Sequence, residues 1–110
     1  MLFCGTVEED AAFNALPADQ KEQAYKVVME WFEKYGSKVE SGYQLQPVTT
    51  ATTVRKGSGG TPIVTDGPYA ESGEVVGGYI IVDVADLDEA LEMAKTWPAG
   101  AVEIRPVVSR

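Results

Sequence analysis

Two segments of the chain repeat their apolar residues with the period of a helix face. Between Pro17 and Tyr35 the spacing is three or four positions, at Ala24, Val27, Val28, Trp31, Phe32 and Tyr35, which makes one stripe on an α-helix. A second helix is predicted from Asp86 to Trp97, where Asp86 suits the N-cap and Glu89 stands three residues later, as in a capping box. Both helices are amphipathic, so each needs a sheet to cover.

The remaining apolar stretches predict strands. Their approximate ranges are Met1–Val7, Glu40–Gln46, Thr49–Lys56, Thr61–Thr65, Val75–Val84 and Ala101–Val108. Two helices cannot cover both faces of such a sheet, so we expect them on one face. This predicts an α+β, ferredoxin-like sandwich in the order β-α-β-β-α-β, with an antiparallel sheet.

Pairs or runs of glycine interrupt the predicted strand pattern in two places. The run Gly57-Ser58-Gly59-Gly60 predicts a hairpin turn between the third and fourth strands, since it lacks the ending of a phosphate-binding loop and leads into no helix. Gly77-Gly78 interrupts the fifth strand, which favours a β-bulge over a close backbone approach to a ligand.

One face of the predicted sheet has no cover of its own. Val76–Val82 is almost continuously apolar, which is typical of a strand buried on both sides. Because the chain supplies no second layer for that face, we expect a second copy to supply it, as in a homodimer.

The amino-acid composition limits the kinds of site and partner that the protein can have. The 110 residues include 17 acidic and 9 basic side chains, no His and one Cys, which suits a single domain over residues 1–110. Without His, imidazole bases, catalytic triads and His-ligated zinc are excluded, and we expect no metal and no cofactor. The net charge of −8 argues against nucleic acid, and no apolar run is long enough to cross a membrane. The single Cys cannot form an internal disulfide, so nothing in the composition calls for an oxidising compartment, and a cytoplasmic location is expected.

Candidate chemistry lies after the fourth strand. Thr65-Asp66-Gly67-Pro68 has the residue types of a tight turn. The alternative is that Asp66, with Glu71 and Glu74, presents carboxylates at a cleft, where one acts as general acid or base. A hard cation such as Mg²⁺ is a third interpretation, although the ligand spacing of a calcium loop is missing.

The last strand offers a second candidate. Alternation places Glu103 and Arg105 on one face, with Val102 and Ile104 turned towards the helices. Arg105 is then either a clamp for a carboxylate ligand or half of a structural pair with Glu103 or Asp83. Tyr79 and Ile81 share a strand face that lines the same space.

Four motifs in order resemble the YCII-related proteins, and within them the DGPF subgroup. The residues that carry the resemblance are Thr50–Arg55, Val64–Glu71, Gly77–Leu91 and Val102–Pro106. The resemblance implies a ferredoxin-like subunit that pairs into a dimeric α-β barrel, in bacterial cytoplasmic proteins of mostly unestablished function. Ser72-Gly73-Glu74 departs from the Thr-Lys-Glu usual in the subgroup. The His–Asp dyad proposed for other members is impossible here.

Three functions follow as hypotheses: an enzyme acting on a small molecule, a ligand-binding or regulatory module without turnover, and a dimer that contacts a protein. The neighbourhood of sigma-factor genes in the subgroup implies the regulatory alternative. Asp66 is the candidate catalytic residue. The candidate ligand-binding residues are Gly67, Pro68, Tyr69, Glu71, Tyr79 and Arg105. Tyr69 has packing as its alternative role.

Overall fold

A computed structural model describes residues 1–69 and 73–109. In this part of the chain the strands are β1 (Leu2–Thr6), β2 (Val39–Gln44), β3 (Thr52–Lys56), β4 (Pro62–Asp66), β5 (Glu74–Val82) and β6 (Ala101–Glu103). The α-helices are α1 (Val7–Asn14), α2 (Ala18–Tyr35) and α3 (Leu87–Lys95). Short 3₁₀ turns occupy Gly36–Lys38, Val48–Thr50 and Ser58–Gly60. None of the helices in the described ranges is long and apolar enough to cross a membrane.

Four strands form one sheet in the order β2-β5-β1-β6. All three pairings are antiparallel. With α2 between β1 and β2, and α3 between β5 and β6, this gives the predicted β-α-β-β-α-β order. The α+β prediction is confirmed, and the arrangement is consistent with a ferredoxin-like fold.

The core lies between this sheet and the two long helices. Trp31 of α2, Ile80 of β5 and Met93 of α3 are buried together. The indole N–H of Trp31 donates to the carbonyl oxygen of Met93 at 3.0 Å, which ties one helix to the other. Val102 and Ile104 pack against the same cluster. Both helices therefore cover one face, as the apolar stripes predicted.

The predicted irregularity in β5 is also present. Phe3 pairs with Gly78, whereas Cys4 pairs with Val76, so Gly77 is an extra residue in the strand. A β-bulge of this kind leaves the extra residue out of the ladder and increases the local twist. The bulge prediction is confirmed.

The first predicted strand is too long, and the sequence reading missed α1. Thr6 caps this helix, with its hydroxyl oxygen accepting from the N–H of Glu9 at 3.0 Å. Thr6 and Glu9 stand at the spacing of a capping box, and Val7 begins the helix instead of ending the strand. The hydrophobic pattern did not predict this helix, because α1 has no buried residue and hence no apolar stripe.

Two other predicted strands differ from the observed ones by three residues or more at one end. Val48–Thr50 forms a 3₁₀ turn, so β3 begins at Thr52. The last strand ends at Glu103, because that residue is paired with Leu2, the first residue of β1. The chain beyond it has no β1 residue opposite.

The middle strands are not part of the main sheet. β3 and β4 pair only with each other, with Val54 opposite Val64. The predicted turn is confirmed, since the N–H of Gly57 donates to the carbonyl oxygen of Thr61 at 2.7 Å. We call this hairpin, residues 52–66, the arm.

The start of α3 carries an ion pair whose titration can be measured. Asp86 caps the helix by accepting from the N–H of Glu89 at 2.9 Å, as predicted. The Glu89 carboxylate accepts from Lys38 and also from the N–H of Ala85. The hydrogen bond with Lys38 is the main reason that the pKa of Glu89 is lowered, and it also raises the pKa of Lys38.

Replacing Lys38 by Met is expected to raise the pKa of Glu89 towards its ordinary value. In the parent chain the lowered pKa of Glu89 gives stability above the carboxyl's unfolded pKa, and this is lost as pH falls through the folded pKa. The raised pKa of Lys38 gives stability that is lost as pH rises through its folded value. Carbon-13 titration of the Glu89 carboxyl tests this. Lys26→Met is the control on α2, and an unchanged Glu89 titration in Lys38→Met would contradict the expectation.

Candidate functional site

A cleft of about 860 Å³ lies between one end of the main sheet and the root of the arm. This volume falls in the range of about 300–1,000 Å³ that is usual for small-molecule sites. The described residues that line it are Cys4, Gly5, Thr6, Glu9, Leu45, Gln46, Pro47, Val48, Thr50, Ala51, Pro68, Tyr69, Glu74, Val75, Val76, Gly100 and Ala101. We call it the arm cleft. Most of these side chains are apolar, as in known ligand sites.

Hydrogen bonds at the root of the arm hold its wall of the cleft in place. The N–H of Gly67 donates to the carbonyl oxygen of Ala51 at 2.8 Å. The hydroxyl of Thr53 donates to the carbonyl oxygen of Gly67 at 2.7 Å. The guanidinium of Arg55 donates to the carbonyl oxygen of Tyr69 at 2.7 Å and lies 4.9 Å from its ring centroid. Tyr69 is thereby held at the cleft by the arm itself.

Two acidic residues, Glu9 and Glu74, line the part of the arm cleft that β1, α1 and β5 form. Glu74 lies across from Thr6 in the β1–β5 ladder, and Glu9 lies in the first turn of α1, which Thr6 caps. A Cβ added to Gly5 would lie 3.2 Å from Oε2 of Glu9, so this carboxylate rests against the backbone of β1. Among the described lining residues no Lys or Arg balances these two groups. The cleft therefore favours cations and hydrogen-bond donors.

The predicted turn residues lie at different places around the arm cleft. Gly67 has φ +107°, a conformation that favours glycine, and it directs Pro68 and Tyr69 into the lining. Asp66 is the last residue of β4, opposite Thr52. Its side chain is exposed, and it is not among the described lining residues. Glu71 lies outside the described residues.

The two remaining candidate residues lie away from the arm. Tyr79 pairs with Tyr43 on the sheet face turned away from α2 and α3, with 6.5 Å between ring centroids. Arg105 follows β6 and donates to the Glu103 carboxylate at 2.7 Å. The pairing of Arg105 with Glu103, one of the two interpretations, is confirmed. The structure thus brings Pro68 and Tyr69 to the cleft, whereas Asp66, Tyr79 and Arg105 stand apart from it.

Sequence reasoning missed Glu9 as a lining residue because it missed α1. The signal was present, since Thr6 followed by Glu9 matches a capping box. The sequence could not show that Glu9 and Glu74 line the same cleft, because β1 and β5 are far apart along the chain. In the described ranges, no group of three or more Cys, Asp and Glu side chains is placed to hold a metal ion.

A second space of about 770 Å³ lies between α2 and the sheet. Its walls are mainly apolar and include Phe13, Tyr25 and Phe32. The rings of Phe13 and Tyr25 meet edge to face, with centroids 5.5 Å apart. We call this space the helix groove. The helix groove adjoins the arm cleft, because Cys4, Glu9 and Gly100 line both. Phe13, Tyr25 and Phe32 line only the helix groove, so they distinguish binding there from binding at the arm cleft.

Comparison with known proteins identifies the family of this chain but assigns the chain no activity. An uncharacterised protein of Rhizobium meliloti (strain 1021) is 42% identical over 69 residues, covering 58% of this chain and 55% of the relative. The match therefore spans little more than half the length of that relative. The family model of the YCII-related domain matches residues 1–109. Since this match extends over nearly the whole sequence, the chain belongs to the YCII-related domain family.

Proposed function

We propose that this protein binds a small molecule in the arm cleft, and that the ligand has an apolar body and a protonated amine. The observation that carries the proposal is the cleft itself, a ligand-sized space with mostly apolar walls and the carboxylates of Glu9 and Glu74. An amine placed between them gains charge-assisted hydrogen bonds, which are stronger than neutral ones. An anionic ligand of the same shape meets two like charges.

Binding without turnover is the form of the proposal that the geometry supports. A general acid or base must come within hydrogen-bond reach of the reacting atom. Asp66 is exposed and lies outside the described lining of the cleft. The regulatory or ligand-sensing alternative therefore has more support than proton transfer by Asp66.

We also propose a homodimer, in which two sheets meet as a dimeric α-β barrel. The face involved is the open face, defined by Leu2, Tyr43, Val76, Tyr79 and Ile81. Tyr43 and Val76 are exposed there although apolar. Large exposed apolar patches mark interaction sites.

The family subgroup is a further part of the proposal. The sequence Asp66-Gly67-Pro68-Tyr69 supports membership of the DGPF subgroup.

Matched probes test the amine proposal. Phenethylamine and 3-phenylpropionate share a phenylethyl body and differ in the charge of the head group. We expect phenethylamine to shift the amide NMR signals of Thr50, Val76 and Ala101, which line the arm cleft, and phenylpropionate to leave them unchanged. Replacing Glu74 by Gln should weaken phenethylamine binding about tenfold or more, because a charged hydrogen bond contributes about 1.5–3 kcal/mol.

Glu40→Gln serves as the control, since Glu40 is exposed on β2 and lies outside the described lining. Equal binding by the two probes would contradict the charge argument. Shifts confined to Phe13, Tyr25 and Phe32 would assign binding to the helix groove and overturn the proposal for the arm cleft.

A further inference from the structure

The chain exposes more surface than a compact monomer of its size. Its accessible surface is 8111 Å², whereas a compact protein of 11.8 kDa exposes about 5,900 Å². Its radius of gyration is 16.2 Å, against about 13 Å for a compact domain of this length. The excess of about 2,200 Å² exceeds the roughly 800 Å² that each partner buries in a stable complex.

The arm contributes to this excess. All five residues of β4 are exposed, and an isolated two-stranded hairpin is at best marginally stable in water. One face of the arm has a partner within the chain, because Thr53 is buried and Arg55 contacts Tyr69. The other face has Val54 and Val64 at its centre, 59% and 66% exposed. We call this second face the arm face.

Charges at the two ends of the arm face have opposite signs. Lys56 lies at the tip, opposite Pro62, and Asp66 lies at the root, opposite Thr52. Alternation along the strands places both on the same face as Val54 and Val64. The four residue steps from Thr52 to Lys56 span about 13 Å at the usual rise per residue, so Lys56 and Asp66 of one chain are too far apart to pair.

A two-fold axis brings these charges together. When two copies of the arm face pack with their strands reversed, the tip of one lies over the root of the other. Lys56 then meets the partner's Asp66 at both ends, and the valines meet in the middle. The other two-fold arrangement, with tip over tip, would place like charges together. Self-complementarity of this kind is what a two-fold interface requires.

We propose that the arm face is a contact between two copies of this chain, packed tip over root, with Lys56 of each copy paired to Asp66 of the other. This contact goes beyond the proposed ligand site and adds to the open face of the sheet. It assigns Asp66 a role in assembly, since this residue is exposed at the root of the arm. The occupant is a second copy because the charge pattern is complementary to itself.

Charge reversal tests the contact. We expect Lys56→Glu and Asp66→Lys each to weaken dimerisation about tenfold in low salt, because each places like charges together at both ends of the contact. An equimolar mixture of the two variants should recover the parent affinity, since a heterodimer has opposite charges at both ends. Sedimentation equilibrium at several concentrations measures the association, and circular dichroism confirms that each variant folds.

Lys26→Glu is the matched control, since it makes the same charge change on an exposed position of α2. A parent that stays monomeric at micromolar concentration would overturn the proposal. So would single variants that dimerise as the parent does, or a mixture that associates no better than its components. Because phenethylamine binding is measured independently, none of these three results bears on the ligand proposal.

Discussion

Replacement of Trp31 by Ala is expected to lower the free energy of unfolding by about 3–5 kcal/mol, the usual cost of truncating a large buried aromatic residue. Trp31 is 5% exposed, and its ring meets Phe3 and Trp97 edge to face. Its N–H also donates to the Met93 carbonyl, which would lose that donor. For a domain whose total stability is about 5–15 kcal/mol, we expect a melting temperature lower by about 12 °C or more.

Replacement of Trp31 by Phe retains part of the aromatic packing. Phe keeps a six-membered ring in the core but lacks the N–H donor and the rest of the five-membered ring, so we expect a smaller loss of about 1–2 kcal/mol. Urea unfolding followed by far-ultraviolet circular dichroism measures both variants. Equal losses for Phe and Ala would contradict this expectation and would show that the N–H and the five-membered ring carry the contribution of Trp31.

Replacement of Gly42 by Ala is expected to cost more than about 3 kcal/mol, at or beyond the upper end of overpacking losses. Gly42 has φ +156°, and an added Cβ would lie 2.3 Å from the carbonyl oxygen of Tyr79. Because the obstructing atom belongs to the backbone of β5, no change of side-chain rotamer relieves the clash. The pairing of β2 with β5 would have to open locally.

Gly36 gives the matched control. An added Cβ there meets nothing within 4 Å, and φ is −56°, which alanine adopts readily. Gly36→Ala is therefore expected to stabilise the fold by about 0.4–1 kcal/mol through the unfolded chain. Urea unfolding of the two variants should give changes of opposite sign. A loss in Gly42→Ala no larger than an ordinary surface effect would contradict the close approach of β2 to β5.

The Gly42 site connects the stability of the main sheet to the ligand proposal for the arm cleft and to the dimer proposal for the arm face. Gly42 lies on β2, whose end leads into the arm through Pro47 and the Val48–Thr50 turn. The N–H of Val48 donates to the Asp10 carboxylate at 3.3 Å, so α1 also holds the root of the arm. A variant that opens β2 should therefore change the arm cleft and the arm face together. The Glu74 and Lys56 variants should each change one of them.

Local pattern determined the parts of the fold that depend on neighbours along the chain. The sequence predicted four such features, because each depends on residues a few positions apart. They are the apolar stripe of α2, the Asp86 cap, the bulge at Gly77 and the turn after Gly57. The inward direction of Val102 and Ile104 followed from strand alternation, even though β6 ends at Glu103. The α+β class followed from the order of these elements.

Only the tertiary structure decided where the arm lies and which side chains meet. The apolar patterns of β3 and β4 are equally compatible with a place in the main sheet. The turn at Val48–Thr50, held by Asp10, directs the chain away from that sheet. Glu9 and Glu74 line the same cleft because β1 pairs with β5, and Asp66 is separated from Tyr79 because the arm leaves the sheet. Such pairings join residues far apart in sequence, and local periodicity contains no information about which partners they choose.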